Sequence, residues 1–410
     1  MEDHRSSREG QKIKGFKSKL EALLDITNAI NANLPTEVLL SKYESFLRNN
    51  LGIGKILVFK HGYKWECILN AGFPLSLEKV IHIESMLQTF CEITKVTPEM
   101  GFEGVDIIIP VFNNLVPLAY IFIGDIDEEG EYVSPVLKHQ NFIQTFSNII
   151  IVAIENIRLF NESLRQEALK KELELAARMQ TALIPREDQM PHKGKIIVNG
   201  FYYPHSEVGG DYYDCVVLSE KVTGFCIADV SGKGISAAIL MSNFQASFRA
   251  LFTAEIPLET LVKKLNSIIV ANAGGEKFIT FFVARYDHSA GILEYVNCAH
   301  NPPVFYDTVS GQIQNLKASC VGIGMLDAIP EITTTEIKVK NYSKIVCYTD
   351  GLSELIGNNG KEIGTAPIIS HIANTSPVKG NIKDMIRELG IPDNNPGIFD
   401  DVSIITADLR

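Results

Sequence analysis

Aspartates stand where apolar runs give way to turns. Asp211 follows Gly209-Gly210, Asp229 ends GFCIAD, Asp350 ends KIVCYTD, and the Asp400-Asp401 doublet precedes VSIITADL. Aspartate is a poor strand former, so its recurrence at strand exits points to one shared rim. Taken singly, each reads as a turn or cap residue. Taken together, carboxylates held close raise one another's pKa unless a cation sits between them. No His or Cys cluster accompanies them, and all-oxygen ligation suits Mg²⁺ or Mn²⁺ better than Zn²⁺. Gly209, Gly210, Gly232, Gly234 and Gly351 lie beside them and let backbone approach a metal or a phosphate closely.

The elements that must position this rim follow from pattern. Beyond Pro185 the chain reads as short strands: KIIVNGFYYPH, YYDCVVL, VTGFCIADV, FITFFVARYD, ILEYVNCAH, PPVFYDT, TEIKVK, SKIVCYTD and VSIITADL. Two helices are predicted among them, GISAAILMSNFQASFRALF and LETLVKKLNSIIVANA. Two sheets with helices outside suit this order. His300, between two strands, reads better as a hydrogen-bonded turn histidine than as a general acid. Lys233 in VSGKG lacks the GxxxxGK[ST] spacing of a phosphate loop, so SGKG reads as a tight turn into the next helix. Tyr212 and Tyr213 read as packed strand aromatics.

The other half is organised differently. Residues 1–15 read as a disordered tail, followed by a helix with Leu20, Leu23, Leu24, Ile26 and Ile30 on one face and a second at about 36–50 with Thr36 as its N-cap. Strands are predicted at 55–62 and 64–72, a helical piece at 75–94, and a hairpin around Asn113-Asn114. A long helix starts near Pro135 and meets no Gly or Pro until Pro185. Along it Ile150, Ile154, Ile157, Asn161, Leu164 and Ala168 form one heptad-like row. Leu169, Leu173, Ala176, Gln180 and Leu183 form a second, shifted row, as in a coiled coil with a register change. The expectation is a signalling helix over 155–186 that pairs two copies of the chain.

A chain of 410 residues favours two or three domains. Its net charge of −11 argues against a nucleic-acid binder, since phosphate neutralisation needs clustered Lys and Arg. Seven scattered cysteines without a CxxC argue for free thiols in a reducing compartment. With a polar N-terminus and IIIVAI (149–154) too short to span a bilayer, no transmembrane segment is expected and the chain reads as cytoplasmic.

Residues 16–165 resemble a GAF domain, a ligand- or partner-sensing module, through LLDITNAINANLPTEVLLSKYESFLRNNLG, IIIPVFNNLVPLAYIFIG and NIIIVAIENIRLFNESL. The domain itself is placed at 16–160, and no sensor ligand is legible.

The blocks ARMQTALIP, EVGGDYYD, IADVSGKGISAAILMS, FITFFVARYD, YVNCAHNPP, VCYTDGLSELIG and DDVSIIT, in that order, resemble PPM-type (protein phosphatase 2C-like) serine phosphatases of the SpoIIE/RsbU-like branch. The resemblance runs from about 176 to 410 and places the domain at 187–410. It implies an α/β multidomain (α+β) chain: GAF-like sensor, helical linker and a PPM-type α-β-β-α sandwich. It also implies two Mn²⁺ or Mg²⁺ ions. Asp229 would bridge them, Asp211 and the Val230 carbonyl would bind one, and Asp350 and Asp400 the other. Asp400 is preferred to Asp401 as the first acid of its pair. Asp229 and Asp211 would act through a metal-bound water on phosphoserine or phosphothreonine, and ARMQTALIP would belong to a regulatory helix. The implied partner is a phosphorylated anti-sigma antagonist protein. The chain departs from the usual NAGHNPP at Cys298 and Ala299. Two rivals stand: a scaffold that keeps the fold without turnover, and a diguanylate cyclase, which GGD suggests but the following YYD does not support.

Overall fold

A computed structural model describes residues 2–410 apart from 82, 84–89, 127–134, 206–207, 358–359 and 392–396. The chain divides into two compact units, Met1–Glu167 and Ala168–Arg410.

In the first unit, strands β1 (Ile53–His61), β2 (Trp65–Ala71), β3 (Thr94–Lys95), β4 (Ile107–Asn113) and β5 (Val116–Ile126) form one sheet in the order β2-β1-β5-β4-β3. All its pairings are antiparallel. The β4–β5 turn carries Asn114 at φ 53°, as the Asn-Asn pair predicts. One core cluster joins this sheet to the helices Glu2–Asn31, Thr36–Leu51 and Pro135–Thr181, through residues such as Ile26, Leu39, Phe46, Ile109 and Phe146. A second holds Phe59, Phe73, Phe102, Tyr120 and Phe122.

Two expectations change here. The segment expected as a disordered tail is helical from Glu2; it is rich in Glu, Arg and Lys, which favour helix. Pro35, not Thr36, is the N-cap of the second helix, and its fixed φ suits the entry. Of the helix expected over 75–94, Leu75–Val80 and Ile83 are helical, and residues 82 and 84–89 lie outside the described residues.

The Pro135–Thr181 helix is continuous, as the missing breakers predict. Its stretch Gln140–Thr181 is long and apolar enough, by length and composition, to cross a membrane. Ile143, Phe146, Ile150, Ile151 and Ile154, however, are buried in the first unit's core, which accounts for that apolar character. Packing also revises the first heptad row, because Ile150 and Ile154 face their own unit. Beyond Val152, the exposed large apolar side chains described on this helix are Leu159, Phe160, Leu164, Leu169, Leu175 and Met179.

The second unit has two sheets. One runs β13-β10-β9-β8-β7, from β7 (Tyr212–Val217), β8 (Val222–Val230), β9 (Ile279–Asp287), β10 (Ile292–Cys298) and β13 (Thr335–Lys338). The other runs β12-β11-β14-β15-β6, from β6 (Ile196–Tyr203), β11 (Val304–Asp307), β12 (Ile313–Asn315), β14 (Ser343–Tyr348) and β15 (Val402–Leu409). A single core holds residues of both sheets with the helices Ile235–Leu251 and Leu258–Ala273. A second packs Ala366–Ile372 and Val378–Glu388 on the other face of the β14–β15 sheet. The layers are therefore helix, sheet, sheet, helix. Within the core, Asp214 is fully buried and neutralised by Arg249, with Nε–Oδ2 2.7 Å and Nη2–Oδ1 2.9 Å. That pairing makes a buried charge tolerable in the first strand of its sheet.

Candidate active site

The aspartates at the strand exits come together at one end of the two facing sheets. Asp211, immediately before β7, is 3% exposed and accepts a hydrogen bond from Thr349 Oγ1 at 2.8 Å. Burial pushes its carboxyl well above the usual range, and the charges of Asp229 and Asp401 push it further. Asp229, next to last in β8, is raised to about 7, first by burial and then by Asp350, Asp400 and Asp401. A hydrogen bond to Asp211 partly opposes that rise. Asp350 opens the one-turn helix Asp350–Ser353 and is raised by burial and by Asp400. Asp229 thus interacts with Asp211, Asp350, Asp400 and Asp401.

The Asp400-Asp401 doublet is split by direction. Asp401 is buried and holds a turn, accepting the His205 N–H at 2.8 Å and the Gly210 N–H at 3.1 Å. Asp400 is half-exposed, with Oδ2 3.0 Å from Lys233 Nζ and Oδ1 accepting the Asp401 N–H at 2.8 Å.

The glycines are required by contact. A Cβ on Gly209 would lie 1.8 Å from Asp401 Oδ2, and one on Gly351 would lie 2.1 Å from the Asp401 carbonyl oxygen. A Cβ on Gly210 would crowd the Val230 carbonyl oxygen at 2.9 Å, so glycine there leaves that carbonyl room. Gly232, at φ 80°, turns the chain out of β8. Glu207 is outside the described residues.

These donors are all oxygens, as a hard divalent cation prefers, and their mutual repulsion is what such a cation would relieve. Among the described residues, no three His, Cys, Asp or Glu side chains converge tightly enough to form a finished metal cage. The set fits a cation by chemistry and charge.

Three polar side chains at the site escaped the sequence reading of roles. Gln180, in the last turn of the long helix, is buried; its Nε2 donates to the Gly209 carbonyl and its Oε1 accepts the Gly209 N–H at 3.1 Å. Thr349 ties Asp211 to β15, its Oγ1 accepting the Ser403 N–H at 2.9 Å. Lys233, read only as a turn residue, reaches Asp400 and the Phe399 carbonyl. A polar residue on the buried face of ARMQTALIP was the available signal for Gln180.

His300 is buried, bonded through Nδ1 to Thr280 Oγ1 at 2.8 Å, and lowered to about 4 by burial, against a hydrogen bond that its ring donates to the Tyr348 backbone. Burial therefore favours its neutral form, in keeping with a hydrogen-bonded turn histidine. Ala299 before it sits at φ 53°, a conformation that favours glycine, which is the usual residue there. Ala299→Gly is expected to stabilise the fold by about 0.5–1 kcal/mol, measured as a higher urea midpoint at unchanged slope. A lower midpoint would show that the alanine is not strained.

The family model described as stage II sporulation protein E matches residues 219–410. Phosphoserine phosphatase RsbU of Bacillus subtilis (strain 168) is 28% identical over 195 residues, 48% of this chain and 57% of that protein. Protein IcfG of Synechocystis sp. (strain ATCC 27184 / PCC 6803 / Kazusa) is 24% identical over 330 residues, 73% of this chain and 51% of that one. The chain spans about half the length of these curated relatives. Among solved structures, the SiaA-PP2C domain of Pseudomonas aeruginosa aligns with TM-score 0.51 and 16% identity, over 60% of this chain and 99% of that domain. At that identity the likeness is one of fold.

Proposed function

Residues 219–410 belong to a SpoIIE-type PPM phosphatase domain homologous to RsbU, and from that premise we propose that the chain is a metal-dependent phosphatase acting on phosphoserine or phosphothreonine of a signalling protein. The observation that carries this reading is the meeting of Asp211, Asp229, Asp350 and Asp400, with raised carboxyl pKa values around Asp229. Asp229 would bridge two divalent ions, with Asp211 and the Val230 carbonyl on one side and Asp350 and Asp400 on the other. Such ions supply Lewis acidity toward phosphoryl oxygens and lower the pKa of water. The chain's part is to hold that charge in place. Thr349 and the Asp401-braced turn orient Asp211, β8 presents Asp229, and Lys233 keeps Asp400 turned toward the rim.

The substrate class that fits the family is a small phosphorylated anti-sigma antagonist. The first unit acts as a GAF-like sensor, supported by its antiparallel sheet with helices on one face. The long helix links it to the phosphatase and pairs two copies, supported by the exposed apolar residues from Leu159 to Met179. The test is release of phosphate from a phosphoserine protein by the full chain with Mn²⁺, with Mg²⁺ and with EDTA. Turnover that persists in EDTA would overturn the reading. The rival reading is a scaffold of the same fold. Cation binding without turnover on any phosphoprotein would select it.

The raised Asp229 also sets a pH dependence. Its carboxyl titrates near 7 in the fold and near its ordinary value of 3.8 in the unfolded chain, so the folded state holds the proton more tightly. Metal-free stability is therefore highest below about pH 4 for this group and falls as pH rises toward 7, by at most about 4 kcal/mol. A divalent cation is expected to raise the melting temperature more at pH 8 than at pH 5. Equal shifts at both pH values would count against cation binding at these carboxylates.

A further inference from the structure

The seven cysteines are free thiols, and two of them lie side by side. Cys298 ends β10 and forms an isolated parallel β-bridge with Cys320. The pairing is fixed on both strands: the Asn297 carbonyl accepts the N–H groups of Ser319 at 2.8 Å and Cys320 at 3.2 Å, and the Asn297 N–H donates to Ser319 Oγ at 3.1 Å. Bridged residues of neighbouring strands lie about 4.8 Å apart. That falls inside the span of about 4.4–6.8 Å between the α-carbons of a disulfide. Side chains of a parallel bridge leave on the same face, and here the two thiols share a hydrogen bond.

Their environments differ in a useful way. Cys298 is fully buried and held protonated, whereas Cys320 is partly exposed and its thiol pKa is lowered by the hydrogen bond from Cys298. An accessible, acidified thiol beside a buried one is the arrangement of an attacking sulfur with a resolving partner. Cys298 also stands where the resembling phosphatases carry alanine, so packing alone does not demand sulfur at this position.

We propose that Cys298 and Cys320 form an oxidation site that a hydroperoxide closes into a disulfide. The Cys320 thiolate attacks one oxygen of hydrogen peroxide, the O–O bond breaks, and hydroxide leaves a sulfenic acid on Cys320. The Cys298 thiol gives up its proton and attacks that sulfur, the S–O bond breaks, and the second oxygen leaves as water. Two thiols and one peroxide become one disulfide and two waters. The bond closes the segment between the two cysteines and sits two residues before His300, whose partner Thr280 lies opposite Asp229 across β8 and β9.

The reduced full chain, freed of reductant, is treated with hydrogen peroxide, alkylated, digested and weighed. The expected result is a linked peptide pair containing Cys298 and Cys320, lighter by two hydrogens and released by dithiothreitol. Exposed Cys91 serves as the internal reference for peroxide dose. Recovery of Cys298 and Cys320 both alkylated, at a dose that oxidises Cys91, would overturn the proposal. Cys298→Ala supplies a second reading. With the resolving sulfur gone, dimedone should trap several-fold more sulfenic acid at Cys320 than in the unaltered chain, and equal trapping in the two would reject the pair.

Discussion

Asp229→Asn is expected to slow hydrolysis of a phosphoserine protein by about 1000-fold or more, on the scale of removing one preorganised electrostatic group from an active site. Asparagine keeps the shape of the side chain and removes the charge that would sit between two cations. Asp229 is the carboxyl that interacts with Asp211, Asp350, Asp400 and Asp401 alike, so no neighbour can take its place. The same substitution relieves repulsion when cations are chelated. In EDTA at pH 8 the variant should melt at or above the temperature of the unaltered chain, because the remaining carboxylates lose their most central like charge. Activity and stability are thus expected to move in opposite directions, which separates loss of the site from loss of the fold. A variant that keeps a tenth of the activity would remove Asp229 from the proposed role.

The second large effect is expected at Gln180. Its two hydrogen bonds to the Gly209 backbone anchor the turn that runs through Gly210 into Asp211. Gln180→Ala leaves a buried N–H and a buried carbonyl without their partner, and each unmade bond costs about 1–3 kcal/mol. The ordered turn should become correspondingly rarer, lowering activity by about 10–100-fold at low cation concentration. Because Asp211 is affected through its position and not its charge, raising Mn²⁺ should recover much of the loss. A titration showing an unchanged half-saturating Mn²⁺ concentration would assign Gln180 to packing alone.

Much of this architecture is legible in the residues. Apolar alternation marks the strands of the second unit, and unbroken helix formers mark the long helix. The helix Val378–Glu388 is not evident, because Gly380 and Asn381 interrupt a face that Val378, Ile382, Met385 and Ile386 still trace. The site is legible as a set of acids at strand exits and illegible in its directions. Nothing local distinguishes Asp400 from Asp401. The distinction arises because β15 leaves one carboxylate against the backbone of a turn nearly two hundred positions earlier in the chain. Gln180 is hidden for the same reason, since its partner Gly209 lies on a turn that the helical period does not encode. Ala299 could be recognised as unusual, and only the backbone shows the left-handed conformation it must adopt.

The strand β15 lies between β14 and β6 and is buried along its whole length, from Val402 to Leu409. It pairs with β6 through Val402–Tyr203 to Leu409–Ile196, and with β14 through Ser343–Leu409 to Tyr348–Ile404. The middle of this sheet is therefore the part synthesised after both of its neighbours. While a ribosome is still short of Val402, β6 and β14 have no common partner, and Asp401 does not yet brace the N–H groups of His205 and Gly210. A chain ending before that point carries Asp211 and Asp229 on the paired strands β7 and β8, but lacks the central strand that joins β14, and so Asp350, to β6.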